Sequence, residues 1–107
     1  MVNPDIFNQV NLSAVTSNTT GSSFDVSRLT RKTVYVSAST SSGATVNIES
    51  SPDNSTWFNI DSKDYTSGTS AQNDTYVYEA NLPFLRTTLT GEGGTSAVST
   101  WITGRGV

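Results

Sequence analysis

The sequence has no histidine and no cysteine, and only three prolines and one methionine among its 107 residues. Each shortage removes a class of chemistry. Without cysteine no disulfide can form, so the fold must stand on packing and hydrogen bonds, which fits a reducing compartment. Without histidine the usual base for a serine nucleophile is missing, although serine is abundant. The usual zinc ligand sets, built on Cys and His, are excluded with it. Charge is equally sparse: charged residues are 14% of the chain and the formal net charge is −3. A nucleic-acid binder gathers Lys and Arg on one face to meet phosphates. Here Arg28, Arg31, Lys32, Lys63, Arg86 and Arg105 are scattered. The one close trio, Arg28, Arg31 and Lys32, reads as a solvated turn entering a strand, so no direct nucleic-acid contact is expected. No apolar stretch approaches membrane-spanning length, and no positive segment followed by an apolar run marks a secretory signal. The expected product is made in the cytoplasm, unprocessed and without a membrane partner.

What is present is serine and threonine, about a third of the chain, against about a fifth Leu, Ile, Val and Phe. That balance approaches the composition of disordered chains, but the low net charge and the strict patterning of the apolar residues argue for a fold. Val34, Val36 and Ala38 alternate with Tyr35, Ser37 and Ser39. Val46 and Ile48 alternate with Thr45, Asn47 and Glu49. Period-two alternation is the signature of a half-buried strand, and β-branched threonine suits the outer face. Residues 33–40 and 44–50, joined by a short link containing Gly43, read as a hairpin. A turn of Ser51, Pro52, Asp53, Asn54 and Ser55 leads to a third strand over 56–61, which would complete a meander. Shorter strands are expected around Val10 to Ala14 and around Phe24 and Val26, with a turn-rich stretch over 17–22 between them and a connection over 27–32. A polar loop over 62–73 either crosses between sheets or carries an interaction. Strands over 74–80, 84–90 and 96–103 close the set. The expectation is an all-β chain: a single β-sandwich or jelly-roll-like domain of about eight short antiparallel strands over residues 10–107, preceded by an N-terminal arm over 1–9.

Chemistry-bearing groups are few. The nine carboxylates fall mostly in turns or on outer faces, where a solvated role outweighs a catalytic one. Asp53 with Asn54, or Asp61 with Asp64, could contribute to a calcium site, but the Asp-x-Asp-x-Asp loop is missing. No cofactor and no catalytic residue is assigned, and the chain is not expected to be an enzyme. The aromatic residues offer the other handle. Tyr35, Trp57 and Trp101 lie opposite the aliphatic positions of their strands, where they could cover a sheet edge, anchor a protein interface or stack on sugar rings.

The run Ala44-Thr45-Val46-Asn47-Ile48-Glu49-Ser50-Ser51-Pro52-Asp53-Asn54-Ser55-Thr56-Trp57-Phe58 resembles a pattern of small phage structural proteins: a strand, a Ser-Pro-Asp turn, then Trp and an aromatic. Leu82-Pro83-Phe84-Leu85-Arg86-Thr87-Thr88-Leu89-Thr90-Gly91 and Ile102-Thr103-Gly104-Arg105-Gly106 are similar to the C-terminal half of the same proteins. The resemblance covers roughly the last two-thirds of the chain. It implies a capsid decoration, or cement, protein of the virion surface. Such a protein would bind the major capsid protein across coat subunits and associate with itself, commonly as a trimer. On that reading the expected contact is the arm, Asn3, Pro4, Asp5, Ile6 and Phe7, with the 62–73 loop second. The competing expectation is a carbohydrate-binding module of a virion or tail, and after it another phage head-tail or tail structural protein.

Overall fold

The computed structural model describes residues 6–39, 45–65, 72–90 and 97–106, and their regular structure is all strand. In chain order the strands are β1 (Ile6–Val15), β2 (Thr19–Thr20), β3 (Phe24–Asp25), β4 (Leu29–Ala38), β5 (Thr45–Ser51), β6 (Phe58–Asp64), β7 (Gln72–Tyr78), β8 (Phe84–Thr90) and β9 (Val98–Gly106). The front sheet runs β1-β9-β4-β7 and the back sheet β2-β8-β5-β6, with β3 also on β8. Every pairing is antiparallel. The pairs are nested: β5 with β6, β4 with β7, β2 and β3 with β8, β1 with β9. The chain is thus a long hairpin rolled upon itself, which is jelly-roll order. The all-β sandwich expected from the alternation is the fold observed.

The expected three-strand meander does not form. β5 and β6 are a true antiparallel pair, but β4 lies in the opposite sheet between β9 and β7. Both β4 and β5 bury one apolar face, Val34, Val36 and Ala38 on one and Val46 and Ile48 on the other. That requirement is met equally by lying side by side or by facing each other across the core, so alternation cannot separate the two arrangements. The link between them, residues 40–44, lies outside the described residues. The 62–73 loop is shorter than expected, since β6 runs to Asp64 and β7 begins at Gln72. It crosses from the back sheet to the front one, and its residues 66–71 lie outside the described residues. Likewise β4 starts at Leu29 within the expected 27–32 connection, and β2 occupies part of the expected turn over 17–22.

β1 likewise begins inside the expected N-terminal arm over 1–9. Ile6, Phe7, Asn8 and Gln9 pair with Arg105, Gly104, Thr103 and Ile102, so the last four arm positions are the start of β1. The free edge of β9 supplies backbone groups that a strand satisfies better than a tail. Residues 1–5 lie outside the described residues. Register shifts between Val10 and Leu12 and between Leu12 and Val15 break the alternation of β1. Leu12 therefore enters the core while Val10 and Ala14 are exposed, Ala14 with a left-handed φ of 48°. Bulges of this kind re-aim side chains at an edge. The displaced Asn11 accepts from the Thr87 backbone N–H (2.8 Å) and hydroxyl (2.6 Å) and donates to the Ser22 carbonyl (2.7 Å). Gly21 donates to the Thr87 carbonyl at 2.8 Å. A Cβ on Gly21 would fall 2.0 Å from Asn11 Oδ1, so only glycine fits that close approach.

The core lies between the sheets and includes Leu12, Val26, Val34, Val36, Val46, Ile48, Leu85, Leu89, Val98 and Ile102. Each such side chain contributes about 1.5–3 kcal/mol by leaving water. One polar bridge crosses it: the buried hydroxyls of Thr87 on β8 and Thr100 on β9 share a bond of 2.7 Å, and Thr100 also accepts from the Leu12 N–H at 3.0 Å. The side where β6 and β7 meet is closed by two tyrosines. Tyr65 donates to Asp74 at 3.0 Å, and Tyr78 donates to Asp61.

Candidate functional site

The outer face of the front sheet is set by register. Tyr35 of β4 stands opposite Trp101 of β9 on one side and Thr75 of β7 on the other, and Trp101 stands opposite Val10 of β1. The row Val10–Trp101–Tyr35–Thr75 therefore runs straight across all four strands. The next row is Asn8–Thr103–Thr33–Val77. Three of the four large apolar or aromatic side chains that stay exposed belong to these two rows: Val10 at 47%, Tyr35 at 42% and Val77 at 56%. A groove of about 670 Å³ opens over the middle of these rows, with Asn8, Tyr35, Asn73, Thr75, Trp101 and Thr103 in its lining. It continues along the strands toward Arg31 and Arg105. No hydrogen bond joins the side chains of Asn8, Asn73 or Thr75 to the other described residues, and no ring contact joins Tyr35 to Trp101.

Of the three aromatic residues singled out by sequence, two come together and one does not. Trp57 precedes β6 on the back side. Its ring carries the Arg86 guanidinium at 4.0 Å from the ring centre, and Arg86 is held in turn by Glu49 at 2.7 Å. Both charged partners are largely shielded, so the stack is a fixed part of that sheet's surface. Phe7, expected in the interface, packs edge-on to Phe24 with ring centres 5.5 Å apart, beneath the Arg28 guanidinium at 5.9 Å. Asn3, Pro4 and Asp5 lie outside the described residues.

The basic trio is split by the strand. Arg28 covers Phe7, and Arg31 pairs with Glu79 at 2.8 Å in the open. Lys32 turns inward, 2% exposed, with its ammonium on the Ala80 carbonyl at 2.7 Å. Burial pulls the Lys32 pKa below the usual lysine value. A register shift between Leu29 and Arg31 is what places both Leu29 and Lys32 on the buried side. Sequence reasoning missed this buried lysine; the signal is its place in the even-numbered series with Val34, Val36 and Ala38.

The carboxylates serve local structure. Asp53 accepts from the Ser55 and Thr56 N–H groups at 2.9 and 2.8 Å and from the Ser51 hydroxyl at 3.0 Å. Those bonds hold its pKa below the usual range, the Thr56 and Ser55 amides first. Asn54 beside it takes the left-handed φ of 61° that the turn requires. Asp61 and Asp64 face different partners, Tyr78 and Thr45. Asp25 is likewise held low by the Ser27 hydroxyl and N–H. Among the described residues no three acidic side chains gather where a metal ion would sit, and no helix is long and apolar enough to cross a membrane.

No protein-family model matches the sequence, and no curated protein matches it in sequence. Solved structures do match in fold. The chain is similar to the SPBc2 prophage-derived protein YomS, with a TM-score of 0.65, 17% identity and 96% of each chain covered. It is similar to a protein of Bacillus endospore appendages, described as a family of disulfide-linked pili, with a TM-score of 0.59, 9% identity, and 99% of this chain and 92% of that one covered. It also matches the PBSX exported protein XepA, with a TM-score of 0.58 and 14% identity, over 98% of this chain and 37% of that one. At these identities the likeness establishes the fold: small β-rich domains, among them proteins of prophages, share this sandwich.

Proposed function

We propose that this chain is a structural protein of a phage particle, a decoration protein that binds across coat subunits at the capsid surface. The observation that carries the reading is the end-to-end agreement with a prophage protein, 96% of each chain at a TM-score of 0.65. It is joined by the sequence resemblance to phage structural proteins described above. Such a protein works by buried contact and turns nothing over. The contact we assign is the N-terminal end, Asn3, Pro4, Asp5, Ile6 and Phe7. β1 is an edge strand of the front sheet, and a sheet edge is where a segment can engage a neighbour. Self-association as a trimer belongs to the same reading. Since the chain has no cysteine, it would be held by non-covalent contact, unlike the disulfide-linked pili.

The test is co-sedimentation of purified protein with phage heads, using the whole chain and a chain lacking residues 1–5, which leaves β1 intact. Binding of the whole chain and loss of binding by the shortened one is the expected result. Equal binding by both moves the contact elsewhere on the domain, and no binding by either ends the decoration reading. Light scattering coupled to size-exclusion chromatography reads the oligomer directly.

A further inference from the structure

We propose that the groove over Tyr35 and Trp101 on the front sheet is a binding site for a neutral carbohydrate chain. This stands independently of the decoration reading, because it rests on a different surface and a different partner.

Three observations carry it. The register places Tyr35 and Trp101 directly opposite each other at the centre of the sheet. Their side chains on such a pair begin about 5 Å apart, yet the rings make no contact with each other. Tyr35 is left 42% exposed. Aromatic surface held open on a rigid sheet offers apolar faces to the C–H side of a sugar ring, and sugar rings carry just such faces between their hydroxyls. Second, the groove's volume of about 670 Å³ lies within the range of small-molecule sites. Around the aromatic pair it presents Asn8, Asn73 and Thr75, whose side chains bond to none of the other described residues. A carboxamide offers two donors and an acceptor, and a threonine hydroxyl offers both roles, which is the pattern that neighbouring sugar hydroxyls satisfy.

The third observation is charge. Asp74 lines the groove, but it stands opposite buried Val36 and its carboxylate accepts from the buried Tyr65 at 3.0 Å, on the core side of the sheet. Arg31 and Arg105 face each other four residues along their strands from Tyr35 and Trp101, roughly 13 Å away at ~3.4 Å per residue. That is the spacing of the backbones; the two side chains line the adjoining end of the groove, and Arg31 is already paired with Glu79. The side chains around the aromatic pair that bond to none of the other described residues, Asn8, Asn73 and Thr75, are all neutral, which favours a ligand rich in hydroxyls and poor in charge over a phosphorylated, acidic or nucleic-acid one. Trp57 takes no part, because the Arg86 guanidinium covers its ring.

The probes are gels cast with mannan, galactomannan, mixed-linkage β-glucan or starch, alongside gels with alginate or hyaluronan, through which the whole protein migrates natively. At least one neutral polysaccharide should retard the protein. Tyr35→Ala and Asn73→Ala should each weaken that retardation about tenfold in apparent Kd, a loss of ~1.4 kcal/mol. Both positions are on the surface, and unchanged thermal unfolding shows that the variants are folded. In a Trp57→Phe protein, Trp101 is the sole tryptophan, and its emission should shift on adding the retarding polysaccharide. Retardation by no neutral polysaccharide, retardation by the acidic ones alone, or equal retardation of wild type and Tyr35→Ala would each overturn the proposal. So would loss of phage-head binding in Tyr35→Ala without any polysaccharide binding, which would make the face a protein interface.

Discussion

The two outer faces of the sandwich are built from the same kinds of residue and behave differently. On the back sheet, polar side chains satisfy one another. Asn47 accepts from Ser62 (2.8 Å) and Asn59 (3.3 Å) and donates to Thr88 (3.3 Å) and Thr90 (3.4 Å), while Thr45 donates to Asp64 at 2.7 Å. Arg86 ties Glu49 to Trp57. On the front sheet the corresponding positions hold Asn8, Asn73 and Thr75 without such bonds, and Val10, Tyr35 and Val77 stand open. A face whose donors and acceptors are already paired has little to offer a partner. One with unpaired amides around exposed aromatic surface keeps that capacity in reserve.

The largest test removes what the faces share. Ile102→Ala under the front sheet and Leu85→Ala under the back sheet each empty a fully buried site. Each should cost about 2–5 kcal/mol in urea unfolding. Should one of them cost much less, the core would be anchored mainly by the other sheet, and the comparison of two equivalent layers would break.

Next comes the seam between β6 and β7. Burial first, and the bonds to Asp74 and Asp61 second, raise the Tyr65 and Tyr78 pKa values far above the ordinary 10.0. The unfolded chain releases these protons from about pH 10 upward while the folded one retains them. Their stabilisation is thus complete below pH 10 and lost as pH rises above it. Buried Lys32 acts in the opposite sense, favouring folding increasingly as pH approaches its unperturbed 10.5 and no further beyond it. Between pH 10.5 and 12, stability should fall by roughly 1.4 kcal/mol per pH unit for each tyrosine. Tyr78→Phe should remove one tyrosine's share of that slope, as read from urea midpoints across the range.

A smaller effect separates the faces themselves. Asn47→Ala should destabilise by about 1 kcal/mol, since several modest bonds are lost at once. Asn73→Ala, at an unpaired position, should stay within about 0.5 kcal/mol. Equal costs would mean that the two networks are alike after all. A little below the Asn47 effect lies Arg86→Ala, expected to cost about 0.5–1 kcal/mol through its cation–π stack and shielded ion pair. It should also leave Trp57 open to acrylamide quenching, which measures how far that ring is covered.

Much of this was legible in the residues. The even-numbered series of β4, the pair Val46 and Ile48, Leu85 with Leu89, and Val98 with Ile102 all enter the core as their alternation requires. Phe58 does not follow its pattern: a register shift opposite Ile48 and Glu49 separates it from Ile60, which packs on the core while Phe58 is 57% exposed. Val10 and Leu12 part company for the same reason in β1. A bulge is one extra residue held by a distant partner, here Asn11 by Thr87. Nothing in the local sequence announces the partner.

The sequence by itself determined the strands, their buried faces and the turn around Asp53, because each depends on neighbours a few positions away. It also decided what chemistry is missing, since an absent side chain is absent in every fold. Only the tertiary structure decided which sheet each strand joins, and hence that Tyr35 meets Trp101 while Trp57 meets Arg86. Those meetings join residues 66 and 29 positions apart. They are fixed by how the rolled hairpin shares one core between two sheets, a global packing condition that no single segment carries.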